Sequence, residues 1–167
     1  KIVNNYSVVQ QGEFQYFNIF LFELGKRKPE LAFKLLEIEK LLPFRIHIIA
    51  GIWKSIKKPE LILLLNRWIT KNENLYIIPQ IFSYVDDINF EMLSSVIQRA
   101  KKLKDYSTLT NSIDAISRNF SKDGRLKKLL IEAIYELGKK TNNNMWLHYI
   151  WFKSEKILED LSENDLD

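Results

Sequence analysis

The 167-residue chain contains no cysteine, which excludes a disulfide framework, a thiolate metal site and a thiol nucleophile together. Glycine and proline are scarce, five and four residues, leaving little room for turn-rich β structure. No strand of alternating apolar and polar residues flanked by turn dipeptides can be picked out. The longest charge-free apolar stretches, Phe14 to Phe22 and Ile46 to Trp53, fall well short of the roughly 18–20 residues a membrane span needs. There are two histidines, His47 and His148, about a hundred residues apart. Neither has a His, Asp or Glu three or four residues away to share a helix face, so no metal site is expected. Glycine-rich phosphate loops are absent, so no nucleotide cofactor is expected, and Ser107, Thr108, Thr110 and Ser112 have no base near them in sequence. They read as polar residues at a helix start. No cofactor and no catalytic residue is assigned, and the expectation is a protein that is not an enzyme.

What the chain does have is recurrence. Four stretches beginning near Glu13, Phe44, Asn74 and Tyr106, roughly 30 residues apart, each read as an amphipathic helix, a polar turn and a second amphipathic helix. The pairs are expected at Glu13–Arg27 with Pro29–Leu42, Phe44–Ile56 with Pro59–Lys71, Asn74–Val85 with Asn89–Leu103, and Tyr106–Phe120 with Arg125–Lys139. A last helix is expected from Met145 to about Leu161. The turns Lys26-Arg27-Lys28-Pro29-Glu30-Leu31 and Ile56-Lys57-Lys58-Pro59-Glu60-Leu61 resemble one another. Proline suits the first turn of a helix, where its missing N–H would have no partner, and the glutamate after it favours the positive helix end.

The stripe of the second helix is expected at Leu31, Leu35, Ile38 and Leu42, and that of the fourth at Leu61, Leu64, Leu65, Trp68 and Ile69. Pro79 either kinks its helix or marks where regular helix begins. Asp86-Asp87 sits at a turn where aspartate commonly caps the next helix. Trp53, Trp68 and Trp146 fall on or beside apolar stripes and read as core, with Trp151 the more exposed.

The fold expected is all-α, an α-α superhelix of about four helical hairpins plus a terminal helix. Residues 1–11 form a lead-in and residues 12–167 a single helical-repeat domain, read as a piece of a larger, cytoplasmic protein. Net charge is +4, unevenly spread. Residues Lys153 to Asp167 hold two lysines against six acidic residues, so residues 1–152 carry a net +8. Such a body suits anionic partners, or a fold-back of its own acidic segment.

The polar faces of the second helices place Lys34, Arg67, Arg99 and Lys128 at intervals of about 29 to 33 residues, with Lys102 one turn from Arg99. This row is the candidate contact surface. It serves either a protein partner, including another domain of the parent chain, or, as the alternative, nucleic acid held in a basic groove. The competing account is a solvated helix face.

The stretch from Leu21 to Glu37, with Ile48 to Ser55 and Pro59 to Ile69, resembles HEAT-like helical repeats of long bacterial multidomain proteins, including the helical arms of signalling ATPases in defence. The resemblance spans about residues 13–160 and rests on hairpin grammar and the Lys-Pro-Glu-Leu turn. Repeats here are shorter than the roughly 40-residue HEAT norm and nearer the tetratricopeptide length, whose small-residue pattern is missing. The resemblance implies a binding, scaffold or sensor arm. The nucleic-acid alternative resembles HEAT-like DNA glycosylases, whose Trp/Asp/Arg cluster has no counterpart that can be placed in this sequence.

Overall fold

The computed structural model describes residues 14–119 and 123–139, and among them every regular element is helical. In chain order the α-helices are α1 (Gln15–Arg27), α2 (Pro29–Leu35), α3 (Arg45–Trp53), α4 (Lys58–Lys71), α5 (Ile77–Ile81), α6 (Phe90–Leu103), α7 (Tyr106–Asn119) and α8 (Leu126–Gly138). A 3-10 segment, Glu39–Phe44, joins α2 to α3. The expected terminal helix, with Trp146, His148 and Trp151, lies outside the described residues, as do the lead-in 1–11 and Phe120. Two compact units divide the chain, Lys1–Leu65 and Asn66–Asp167, and the boundary falls within α4.

In the first unit α1 packs along α3, both helices running the same way. Phe14 and Phe17 set their rings edge-on against Phe44, with centroids 5.7 and 4.9 Å apart, while further along Gly25 meets Gly51. A Cβ added to Gly25 would stand 2.6 Å from the Ile48 carbonyl oxygen and 3.0 Å from the Gly51 Cα. One added to Gly51 would run into the carbonyl oxygen of Phe22. Backbone therefore meets backbone at this crossing. The small residues that the sequence did not disclose as a pattern come from two different helices. All six residues from Ile48 to Trp53 are buried, and such closed packing contributes about 1.5–3 kcal/mol per large aliphatic side chain.

The second helix departs from expectation. Regular α2 stops at Leu35, Ile38 is extended (φ −80, ψ 114), and Leu31, Ile38 and Leu42 are 42–47% exposed. The buried set is instead Pro29, Ala32, Leu36, Leu41 and Phe44. Pro43 disfavours α geometry at Leu42 and an α-helical bond to the Glu39 carbonyl, and it lies within the tighter 3-10 segment that follows the break at Ile38. Pro29 opens α2 and Glu30 occupies its first turn, as the turn chemistry requires.

In the second unit, α5 and α6 precede α7 and α8 in two layers: α5 lies against α7, and α6 lies against α8. Two contacts fix the pairing of α6 and α8. Arg125 reaches Glu91 at 3.7 Å, and Gln98 donates to Glu132 at 2.7 Å. Both connect residues 34 positions apart, so the two helices run parallel in one register. Asn111 and Asn119 of α7 similarly donate to the carbonyls of Tyr76 and Phe82, at 3.2 and 2.9 Å, holding the short α5 at both ends. Pro79 lies in the first turn of α5, where no N–H is needed, and i→i+3 turns extend the segment on each side. The N-cap of α6 is Asn89, whose Oδ1 accepts from the Met92 N–H at 3.0 Å, rather than either residue of Asp86-Asp87.

Leu61, Leu65, Trp68 and Ile69 of α4 are buried, Leu64 is half-buried, and on α8 Leu126, Leu129, Leu130, Ala133 and Leu137 are buried. The isoleucine-rich stretches Ile77-Ile78 and Ile46 to Ile49, β-prone by residue type, are both helical.

Candidate interaction surface

Lysines and arginines of the second unit fall into two kinds. Lys101 of α6 bonds Glu132 of α8 at 3.2 Å, beside the Gln98 contact, and ties the two helices together. Arg125 bonds Asp123 at 2.7 Å and Glu91 at 3.7 Å, and its guanidinium lies 4.2 Å from the centre of the Phe90 ring. The carboxyl of Asp123 is held below its ordinary value by the hydrogen bond from Arg125, whose own value is raised by the same contact. These cations have partners within the fold.

The candidate residues differ. Lys34 (on α2), Arg67 (on α4), Arg99 and Lys102 (on α6) and Lys128 (on α8) have no ion pair or side-chain hydrogen bond among the described residues. All are exposed except Arg99, which is half-buried. Lys102 follows Gln98 by one turn, and Lys128 precedes Glu132 by one turn. Both therefore belong to the solvent side of the paired α6 and α8. Arg99 sits on the flank of α6 away from Lys101, the residue that faces α8. Lys34 belongs to the first unit and the other four to the second, where the register that sets Gln98 beside Glu132 puts Lys128 level with Ser94 and Lys102 level with Glu136, about two turns apart along the helix pair.

Two features escaped the sequence pattern. On α1, Tyr16, Ile19 and Phe20 are 87%, 52% and 56% exposed, opposite the buried Leu21 and Gly25. The periodicity of Phe14, Phe17, Leu21 and Leu24 concealed them, because the first half of this helix is apolar on all sides. On α8, Tyr135 is exposed two turns beyond Lys128, and the Lys139 ammonium lies 4.5 Å from its ring centre.

Elsewhere the polar groups serve the backbone. Ser112 donates to the Thr108 carbonyl at 2.8 Å and Thr110 to that of Tyr106 at 2.9 Å, while Asp105 caps α7 through the Thr108 N–H at 3.1 Å. His47 is half-buried on α3, and desolvation holds its imidazole below the ordinary histidine value. No group of three or more His, Asp or Glu able to hold a metal occurs among the described residues. Trp53 and Trp68 are both buried, and the Lys58 ammonium lies 4.5 Å from the Trp53 ring centre. No helix among the described residues is long and apolar enough to cross a membrane.

No family model, curated protein or solved structure matches the chain.

Proposed function

We propose that this chain is a non-catalytic helical-repeat module, a HEAT-like α-α superhelix that serves as a scaffold or sensing arm in the cytoplasm. Its ligand is an acidic protein segment, from a partner or from another domain of the parent chain. The basic layer of the second helices makes the contact. One observation carries this reading: Lys102 of α6 and Lys128 of α8 are exposed and without carboxylate partners among the described residues, while neighbouring Lys101 and Arg125 are paired. Cations left unpaired along one helix pair gain when an extended anionic segment neutralises them. The parallel register of α6 on α8, and of α1 along α3, supports the stacked-hairpin element of the proposal.

A nucleic-acid ligand is the second reading, favoured by the exposed ring of Tyr135 on the Lys128 side of α8. Binding of the full chain to a glutamate-rich peptide and to a random-sequence duplex, each across a salt series, separates the two. Peptide binding weakened about tenfold or more by Lys102→Glu with Lys128→Glu, against no effect of Arg118→Glu, supports the protein reading. Tighter binding to duplex, falling steeply with salt, would overturn it in favour of nucleic acid.

A further inference from the structure

The outer side of α1 carries one line of side chains with an internal symmetry. Tyr16, Ile19, Phe20 and Glu23 lie at i, i+3, i+4 and i+7; the first three are exposed and Glu23 partly so. This spacing reads the same from either end. Reversing the helix about the midpoint of Ile19 and Phe20 exchanges those two residues with each other, and Tyr16 with Glu23.

The chemistry along the line is fixed in place. The ring of Phe20 stacks on Phe17, with centroids 6.3 Å and planes 18° apart, and Phe17 meets Phe44 edge-on. Phe20 is therefore an aromatic anchor that loses little freedom when something covers it. Glu23 accepts from the Arg27 Nε through Oε2 at 2.9 Å, which orients its carboxylate and leaves Oε1 with no partner among the described residues. The 87% exposed Tyr16 offers a phenol O–H that likewise has no partner among them.

We propose that this side of α1 is a homodimer contact, on which the same side of α1 from a second copy of the chain packs antiparallel. Two arguments select the copy and its direction. In the antiparallel contact the Tyr16 hydroxyl of each copy donates to the Glu23 carboxylate of the other, one bond at either end of an apolar centre in which Ile19 meets Phe20 twice. A parallel contact would instead set Glu23 against Glu23 and Arg27 against Arg27, like charges that oppose association. Glu23 and Arg27 also cancel, so the line attracts neither an acidic nor a basic partner by charge, and its donor end and acceptor end are matched by its own reversed copy. Four side chains a side bury less than the roughly 1,200–2,000 Å² of a stable complex, so the dimer is reversible and forms at high protein concentration. The contact lies wholly on α1 and does not rest on the basic layer of α6 and α8.

Because the chain has no cysteine, introduced thiols report the arrangement without interference. Full-length Tyr16→Cys and Glu23→Cys proteins, mixed in equal amounts under mild oxidation, should give the mixed disulfide dimer in excess over either same-site dimer, as read by intact mass. Position 16 of one copy then faces position 23 of the other, whereas two copies of position 16 are offset by about 10 Å along the axis, beyond disulfide reach. Sedimentation velocity of the wild-type chain over a concentration series should show association that stops at the dimer, since a two-fold contact is closed. Phe20→Glu should weaken it about tenfold or more. Tyr16→Phe, which keeps the ring and removes one O–H from each end, should weaken it about tenfold, with helical circular dichroism unchanged in both variants. Wild-type protein monomeric at every concentration would overturn the proposal and leave this side of α1 to another part of the chain or to a different protein. Same-site disulfides in excess, or dimerisation indifferent to Phe20→Glu, would overturn it as well.

Discussion

Gly25 of α1 and Gly51 of α3 approach so closely that neither has space for a side chain: a Cβ on Gly25 would lie 3.0 Å from the Cα of Gly51. Neither glycine has a positive φ, so their value lies in the space they leave and not in backbone freedom. The close approach also draws the rings of Phe14 and Phe17 onto Phe44 at one end of the crossing.

Gly51→Ala should therefore destabilise the protein, against the helix-propensity gain of about 1 kcal/mol that alanine ordinarily brings. The obstruction is a backbone carbonyl, that of Phe22, which cannot rotate away as a flexible side chain would. The expected net cost is about 1–3 kcal/mol, read from the midpoint of urea unfolding. Gly138→Ala is the control, since a Cβ there meets nothing within 4 Å, and it should be neutral or stabilising.

The opposite substitution is expected to help at Lys104. This residue ends α6 in the left-handed region at φ 56, and the following Asp105 N–H bonds back to the Ala100 carbonyl at 2.9 Å. Lys104→Gly should raise stability by about 0.5–1 kcal/mol because the β-carbon penalty disappears. A lowered thermal midpoint would show that the lysine side chain contributes more than its backbone costs.

His47 sets a pH dependence. Burial lowers its folded-state value, so between the ordinary unfolded value near 6.5 and that lower folded value the unfolded chain binds more protons. Stability should be fully retained above that window and fall as pH drops through it. The part of this loss due to His47 should vanish in His47→Gln, whose thermal midpoint would change less between pH 7.5 and 5.5. An identical fall in both proteins would place the effect on other groups.

Much of the helical fold was legible because α4, α6, α7 and α8 carry apolar residues at regular helical intervals, and Pro29 and Pro59 mark where second helices begin. The misplaced face of α2 has a definite cause. Leu31, Leu35, Ile38 and Leu42 keep helical spacing past Leu35, where α2 ends and Ile38 turns extended, while the inward residue Ala32 is too small to register in a hydrophobic pattern. Asn119 was equally hidden. It is buried on the inner side of α7, and only the three-dimensional fold reveals that its amide donates to the Phe82 carbonyl and its own Ala115 carbonyl.

For the candidate surface, the sequence supplied the cations but not their pairing. Lys101 and Lys102 are neighbours of the same type, and only their positions around α6 assign one to Glu132 and the other to solvent. The apolar outer side of α1 was legible in composition, yet nothing in the spacing told which of two apolar sides would be covered.

The polar links between α6 and α8 are all at or near the surface, whereas Leu93, Val96 and Ile97 on one helix and Leu129, Leu130 and Ala133 on the other are buried. Adhesion and alignment are thus assigned to different atoms. Added salt screens the charged links and leaves apolar burial intact. Ionic strength therefore acts on the links that set the register of α6 on α8, and leaves in place the apolar contact that holds the two helices together.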